Sequence, residues 1–137
     1  MFSFSNISKE RLLSCHRDLQ VLFDYVITHY DCSVICGHRE EDAQNKAFKE
    51  GNSTLTFPKS KHNSIPSIAV DVAPYPIDWD DLKRFYSFGG FVTGVAQSFF
   101  DSGVMDYRIR WGGDWDGDFD FKDQRFNDLP HFELIGV

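Results

Sequence analysis

Between residues 12 and 30 the apolar side chains recur at three- and four-residue steps: Leu12, Cys15, Leu19, Leu22, Phe23, Val26 and Tyr30. That spacing lays them along one stripe of a helix, so the chain is expected to open on a long amphipathic helix in need of a surface to cover. Near the other end the period changes. Tyr107, Ile109 and Trp111 alternate with Arg108 and Arg110, and alternation by two marks a strand with one buried face. Helices early and strands late predict an α+β fold, a small antiparallel sheet with helices packed on it, and not a doubly wound sheet.

The intervening segments fill in this plan. Cys32–Cys36 is a short β-prone run, and Gly37-His38-Arg39 turns into a helix over residues 40–50 that Gly51 closes. Residues 52–60 form a polar loop, and residues 69–73 a short buried strand. Asp78 is the expected cap of a third helix carrying Leu82, Phe85, Val92, Ala96 and Phe99, with Gly89-Gly90 as a point of kinking or division and Gly103 as its end. Residues 131–135 form the last strand. No repeat or linker divides the 137 residues, so a single domain over 1–137 is expected.

Composition removes several classes of function. A formal charge of -7 argues against a nucleic-acid partner, because phosphate binding needs clustered Lys and Arg. No run approaches the roughly 20 apolar residues of a membrane span, so no membrane insertion is expected. The first ten residues lack the basic start and apolar core of a secretory signal, which points to synthesis in a cytosol. Cys15, Cys32 and Cys36 are odd in number and form no C-x-x-C pair. All three read as reduced, mostly buried thiols, not as a disulfide framework or a thiolate zinc site.

The candidate chemistry lies in two places. His62 and Asp71 bracket a loop that feeds a strand, and His131 opens the final one. Alternation puts His131 and Glu133 on one face of that strand and Phe132 and Leu134 on the other, toward a core. Two imidazoles and a carboxylate suit a catalytic zinc, whose fourth position stays open for water. Among five histidines and many aspartates, spacing alone leaves solvated or core histidines as an open alternative. The second place is the run Asp114, Asp116, Asp118 and Asp120, set among Gly112, Gly113 and Gly117. It is either a solvated acidic loop or a Ca²⁺ site of incomplete pattern, since the twelfth position from Asp114 is Arg125 and not Glu.

Several motifs, in order along the chain, point further. Ser60-Lys61-His62 followed by Ala69-Val70-Asp71 resembles the Ser-x-His…Ala-x-Asp signature of the D-Ala-D-Ala carboxypeptidase and L-alanyl-D-glutamate endopeptidase superfamily. Trp111-Gly112-Gly113-Asp114-Trp115 and Asp128-Leu129-Pro130-His131-Phe132-Glu133 resemble the ending of its phage endolysin branch, and Gly37-His38-Arg39 with Gln44 its Gly-x-Arg…Gln segment. The stretch 63–68 departs from the family by lacking a glycine and by two extra residues.

The resemblance implies a Hedgehog/DD-peptidase-like zinc peptidase fold, with Zn²⁺ bound by His62, Asp71 and His131. It implies Asp128 as the catalytic carboxylate and Arg39 as the group that stabilises an oxyanion or grips a substrate carboxylate. Ser60, Gln44, Glu133 and Asp114 are then supporting groups around the ligands. The implied function is a phage endolysin that cuts the L-alanyl–D-glutamate bond of bacterial peptidoglycan. Such a chain is expected to be monomeric, to be made in the host cytoplasm without a signal peptide and to reach the wall after release. A D-Ala-D-Ala carboxypeptidase and a non-hydrolytic, zinc-stabilised wall-binding domain are the competing readings.

Overall fold

The computed structural model describes residues 1–123 and 127–137; Arg125, the twelfth position of the acidic run, lies outside the described residues. In chain order the elements are α1 (Asn6–Leu13), α2 (Arg17–His29), β1 (Cys32–Cys36), α3 (Glu41–Lys49), a single 3-10 turn (Lys61–Asn63), β2 (Ala69–Pro74), α4 (Leu82–Asp101), β3 (Arg108–Gly112) and β4 (Asp128–Ile135). The four strands form one antiparallel sheet in the order β1-β2-β4-β3. The α+β expectation therefore holds. The segregation of helices before strands does not, because β1 and β2 interleave with helices and the sheet draws on both halves of the chain.

The core forms where the two periodicities meet. Leu19, Leu22, Phe23 and Val26 of α2, with Phe88, Val92 and Ala96 of α4, pack on Val70, Val72, Phe132 and Leu134 of the two central strands. Phe132 is fully buried, its ring 5.5 Å from that of Phe23 and 6.1 Å from that of Phe88. Truncating an aromatic so placed costs about 3–5 kcal/mol. Since Phe132 and Leu134 face this core, alternation turns His131 and Glu133 to the opposite face, as the sequence pattern predicts.

Three local expectations need correction. The first amphipathic stripe is two helices: α1 ends at Leu13, and the Nδ1 of His16 accepts from the Asp18 amide at 3.0 Å to cap α2. A side-chain cap of this kind lets a new helix start in the middle of an unbroken apolar pattern. The cap of α4 is Asp81, which accepts from the Arg84 amide, while Asp78 accepts from Asp80 in the turn before it. Leu82 consequently lies exposed in the first turn. Gly89-Gly90 does not divide α4, which runs as one helix over Leu82–Asp101. A Cβ on Gly89 would overlap the Trp111 indole, so this glycine admits the tryptophan against the helix.

The last strand also begins three residues earlier than expected, at Asp128. Gly112 pairs with it across the β3–β4 ladder, and a Cβ on Gly112 would strike the Asp128 carbonyl. The absence of a side chain at Gly112 is what lets Asp128 approach. No helix among the described residues is long and apolar enough to cross a membrane.

Candidate metal centre and catalytic cleft

Strand register assembles the site. Asp71 on β2 stands opposite Cys36 on β1 and opposite His131 on β4, so three potential donors lie side by side across adjacent strands. His62 arrives from the 3-10 turn, which Ser60 and Asn63 hold in a capping box. Its neighbour Asn63 also donates to the Arg39 carbonyl at 2.9 Å, and the Arg39 amide donates to the His62 carbonyl at 2.8 Å. The lengthened loop after His62 still delivers Asp71 in register.

The two imidazoles are oriented in the same manner. His62 Nδ1 donates to the Gly37 carbonyl at 2.8 Å, which leaves Nε2 turned to Asp71 Oδ1 at 3.4 Å. His131 Nε2 donates to Glu133 Oε1 at 2.8 Å, which leaves Nδ1 turned to the same Asp71 oxygen at 3.2 Å. The two rings sit 5.3 Å apart, centroid to centroid. A metal-binding histidine typically spends its other nitrogen on a carbonyl or carboxylate in this fashion.

The electrostatics ask for positive charge at this point. Burial would lower the pKa of both histidines, yet hydrogen bonding to Asp71 and other neighbours outweighs it and lifts His62 to about 10 and His131 to about 9. Burial would raise half-buried Asp71, yet hydrogen bonding to His131 and His62 holds it well below the usual carboxylate range. A carboxylate that draws a proton onto each of two imidazoles can exchange those protons for one divalent cation.

The surrounding groups lock this arrangement. Burial would raise Glu133, but bonds from His131, Lys61 at 2.7 Å and Arg110 at 2.9 Å bring it down to about 2. Arg39 donates to Gln44 Oε1 at 3.0 Å and lies 3.7 Å from Asp71 Oδ2. Gln44 is fully buried and donates in turn to Ser53 and to the Leu55 carbonyl. It thereby ties the guanidinium to the 52–55 wall of the cleft. Asp128 lies half-buried with Oδ2 4.0 Å from His131 Nδ1, its pKa raised by burial and by the charge of Asp71. Arg39, Asp128 and Glu133, with the two histidines, Asp71 and Trp115, line a cleft of about 370 Å³, and Gln44 lies buried behind its wall.

Cys36, read from the sequence as a mostly buried thiol outside any metal site, needs correction: it is only partly buried and stands among the candidate donors. Its sulfur, with donor atoms of His62 and Asp71, makes a group within 4.8 Å of one another that could hold a metal ion. It lies 3.8 Å from His62 Nδ1 and accepts from Arg39 at 3.5 Å. Cys15 and Cys32 are buried as expected, and burial pushes both thiols up to about 12. The sequence signal for Cys36 was its place directly before Gly37-His38-Arg39.

The acidic run lies apart from the two histidines. Asp114 is buried among Trp111, Arg108 and Phe119 in a second cavity of about 360 Å³, which shares Arg110 and Trp115 with the cleft. Its Oδ2 accepts from the Phe119 amide at 3.0 Å, while its buried Oδ1 has no partner among the described residues. Donor oxygens of Asp114, Asp116 and Asp118 come within 4.8 Å of one another. Asp120 is turned to the Lys122 amide, and Asp114 does not line the cleft.

The sequence profile of the phage L-alanyl-D-glutamate peptidase family matches residues 1–135. No curated protein matches the chain. Among solved structures, the L-Ala D-Glu endopeptidase ChiX of Serratia marcescens is similar in fold, with a TM-score of 0.70 at 23% identity over 96% of this chain and 90% of that one. The family match takes in every motif that converges on the cleft, from Arg39 on the first strand turn to Glu133 on the last strand. The chain therefore belongs to the phage L-alanyl-D-glutamate peptidase family and is a peptidase of peptidoglycan.

Proposed function

We propose that the chain cuts the L-alanyl–D-glutamate amide with Zn²⁺ held by His62 Nε2, Asp71 and His131 Nδ1. The observation that carries this reading is the pair of imidazoles, each anchored through one nitrogen and offering the other beside Asp71 Oδ1. Three nitrogen and oxygen donors with room alongside match a catalytic zinc site and not a closed structural one. Zinc at this point supplies Lewis acidity, polarising a carbonyl and making a water molecule far more acidic.

The chain's own residues do the rest. The Asp128 carboxylate, next to His131, takes the proton of the attacking water and returns it to the departing amine nitrogen. Its raised pKa brings its proton affinity closer to that task. Arg39, clamped by Gln44, offers a fixed guanidinium to the scissile carbonyl oxygen as negative charge grows there. Glu133 and the Gly37 carbonyl keep the histidine tautomers in place, and Ser60 holds the turn that carries His62.

In this reading residues 1–137 act as one monomeric catalytic domain, an endolysin made in the host cytoplasm and released to the wall. The family match favours the endopeptidase over a D-Ala-D-Ala carboxypeptidase, and an acid–base group beside the histidines favours an enzyme over a wall-binding domain. The acidic loop supports a second cation, Ca²⁺, on Asp114, Asp116 and Asp118, because the buried Asp114 Oδ1 lacks a partner among the described residues. Digests of purified peptidoglycan and of a free pentapeptide, weighed by mass spectrometry, test the scissile bond. New N-terminal D-glutamate with terminal D-alanine intact is expected; release of single D-alanine would overturn the assignment.

A further inference from the structure

The charge of the cleft runs against that of the chain. The protein carries a formal -7, yet Arg39, Lys59, Lys61 and Arg110 line the cleft against three carboxylates, Asp71, Asp128 and Glu133. Most of these cations are committed. Arg39 is bonded to Gln44 and faces Asp71, while Lys61 and Arg110 both close on Glu133 Oε2. Lys59 is different. Its amide is fixed to the Thr56 carbonyl at 2.9 Å, but its exposed side chain has no ion-pair partner among the described residues.

The substrate supplies a matching anion. D-glutamate has two carboxyl groups, and a stem peptide that continues through the side-chain carboxyl leaves the α-carboxyl free on the carbon next to the scissile amide. The other three cations of the cleft already face carboxylates of the chain, so a cation without such a partner is the one left to answer the substrate's free carboxylate. We propose that Lys59 binds this carboxylate and makes the peptidase selective for stem peptides with the free acid over those with the carboxamide. The proposal rests on the L-alanyl–D-glutamate reading above and extends it to which form of the wall is cut.

The test uses the full-length, metal-loaded enzyme and two synthetic stem peptides that differ only in carboxylate or carboxamide at that carboxyl. The wild type is expected to favour the acid in kcat/KM by roughly threefold to fivefold, the scale of one solvent-facing ion pair, and less so as salt rises. Lys59→Arg keeps the preference, Lys59→Ala brings the ratio near one through KM, and Lys59→Glu favours the carboxamide. A wild-type ratio of one, or a preference that survives in both Lys59→Ala and Lys59→Glu, overturns the proposal. Cleavage at another bond, read from the product masses, overturns the scissile-bond assignment and this proposal with it.

Discussion

The cleft and the acidic loop both gather carboxylates, and Trp115 and Arg110 belong to the walls of each. In the cleft the donors are fixed by long-range structure. Asp71 meets His131, 60 positions further along the chain, through β2–β4 pairing. Each imidazole there is oriented by a bond from its other nitrogen. In the loop the aspartates are fixed by their neighbours: Asp118 takes the Asp120 amide at 2.8 Å and Asp120 the Lys122 amide at 3.0 Å. Their charges are shared locally too, since hydrogen bonding to Asp118 is the main cause that raises exposed Asp123 to about 6 while Asp118 itself is lowered. A site whose geometry is over-determined by a sheet can hold a metal for chemistry, whereas a loop of local turns can at most be tightened by one.

The largest expected effect lies in the cleft. Asp128→Ala should keep its metal and its fold while turnover drops by about 10²–10⁴-fold, the usual range for a lost acid–base group. Steady-state kinetics beside a thermal melt decides this, and wild-type turnover would remove Asp128 from the mechanism. Gln44→Ala should act less severely. It strips a buried acceptor from Arg39 and Asn63 and two donor bonds from the 53–55 wall, costing about 1–3 kcal/mol of stability. Denaturant unfolding should show the loss, with activity reduced and metal content unchanged. A Gln44→Ala protein as stable as the wild type would mean that the wall does not depend on it.

The smallest effect belongs to the loop. Calcium at millimolar levels should raise the melting temperature by a few degrees, as any ligand of the folded state does, and Asp114→Asn should reduce that gain. No heat in calorimetric titration and no shift in melting would leave the run as a solvated acidic loop, sharpening the contrast with the cleft.

How much of this was legible in the sequence follows the same division. The alternation of His131 and Glu133 against Phe132 and Leu134 was readable because a strand has a period of two and its core residues are apolar. The family motifs gave the order of the candidate ligands. Register was not readable. Nothing in the local pattern of residues 32–36 says that Cys36 will face Asp71, since strand pairing is a property of two segments and of the bulge between Val34 and Cys36. The break at His16 was hidden for a related reason. An unbroken apolar stripe signals helix on either side of a cap, and the cap is a single side-chain bond. Asp18 was likewise invisible: buried on α2, it accepts the amides of Asp106 and Tyr107, some 88 residues away, to lead the chain into β3.

Elemental analysis of protein purified without chelator tests the central claim most directly. The account predicts one zinc per chain in the wild type and in Asp116→Ala, and its loss, together with activity, in His62→Ala and in His131→Ala. Zinc retained undiminished in both histidine variants would contradict it.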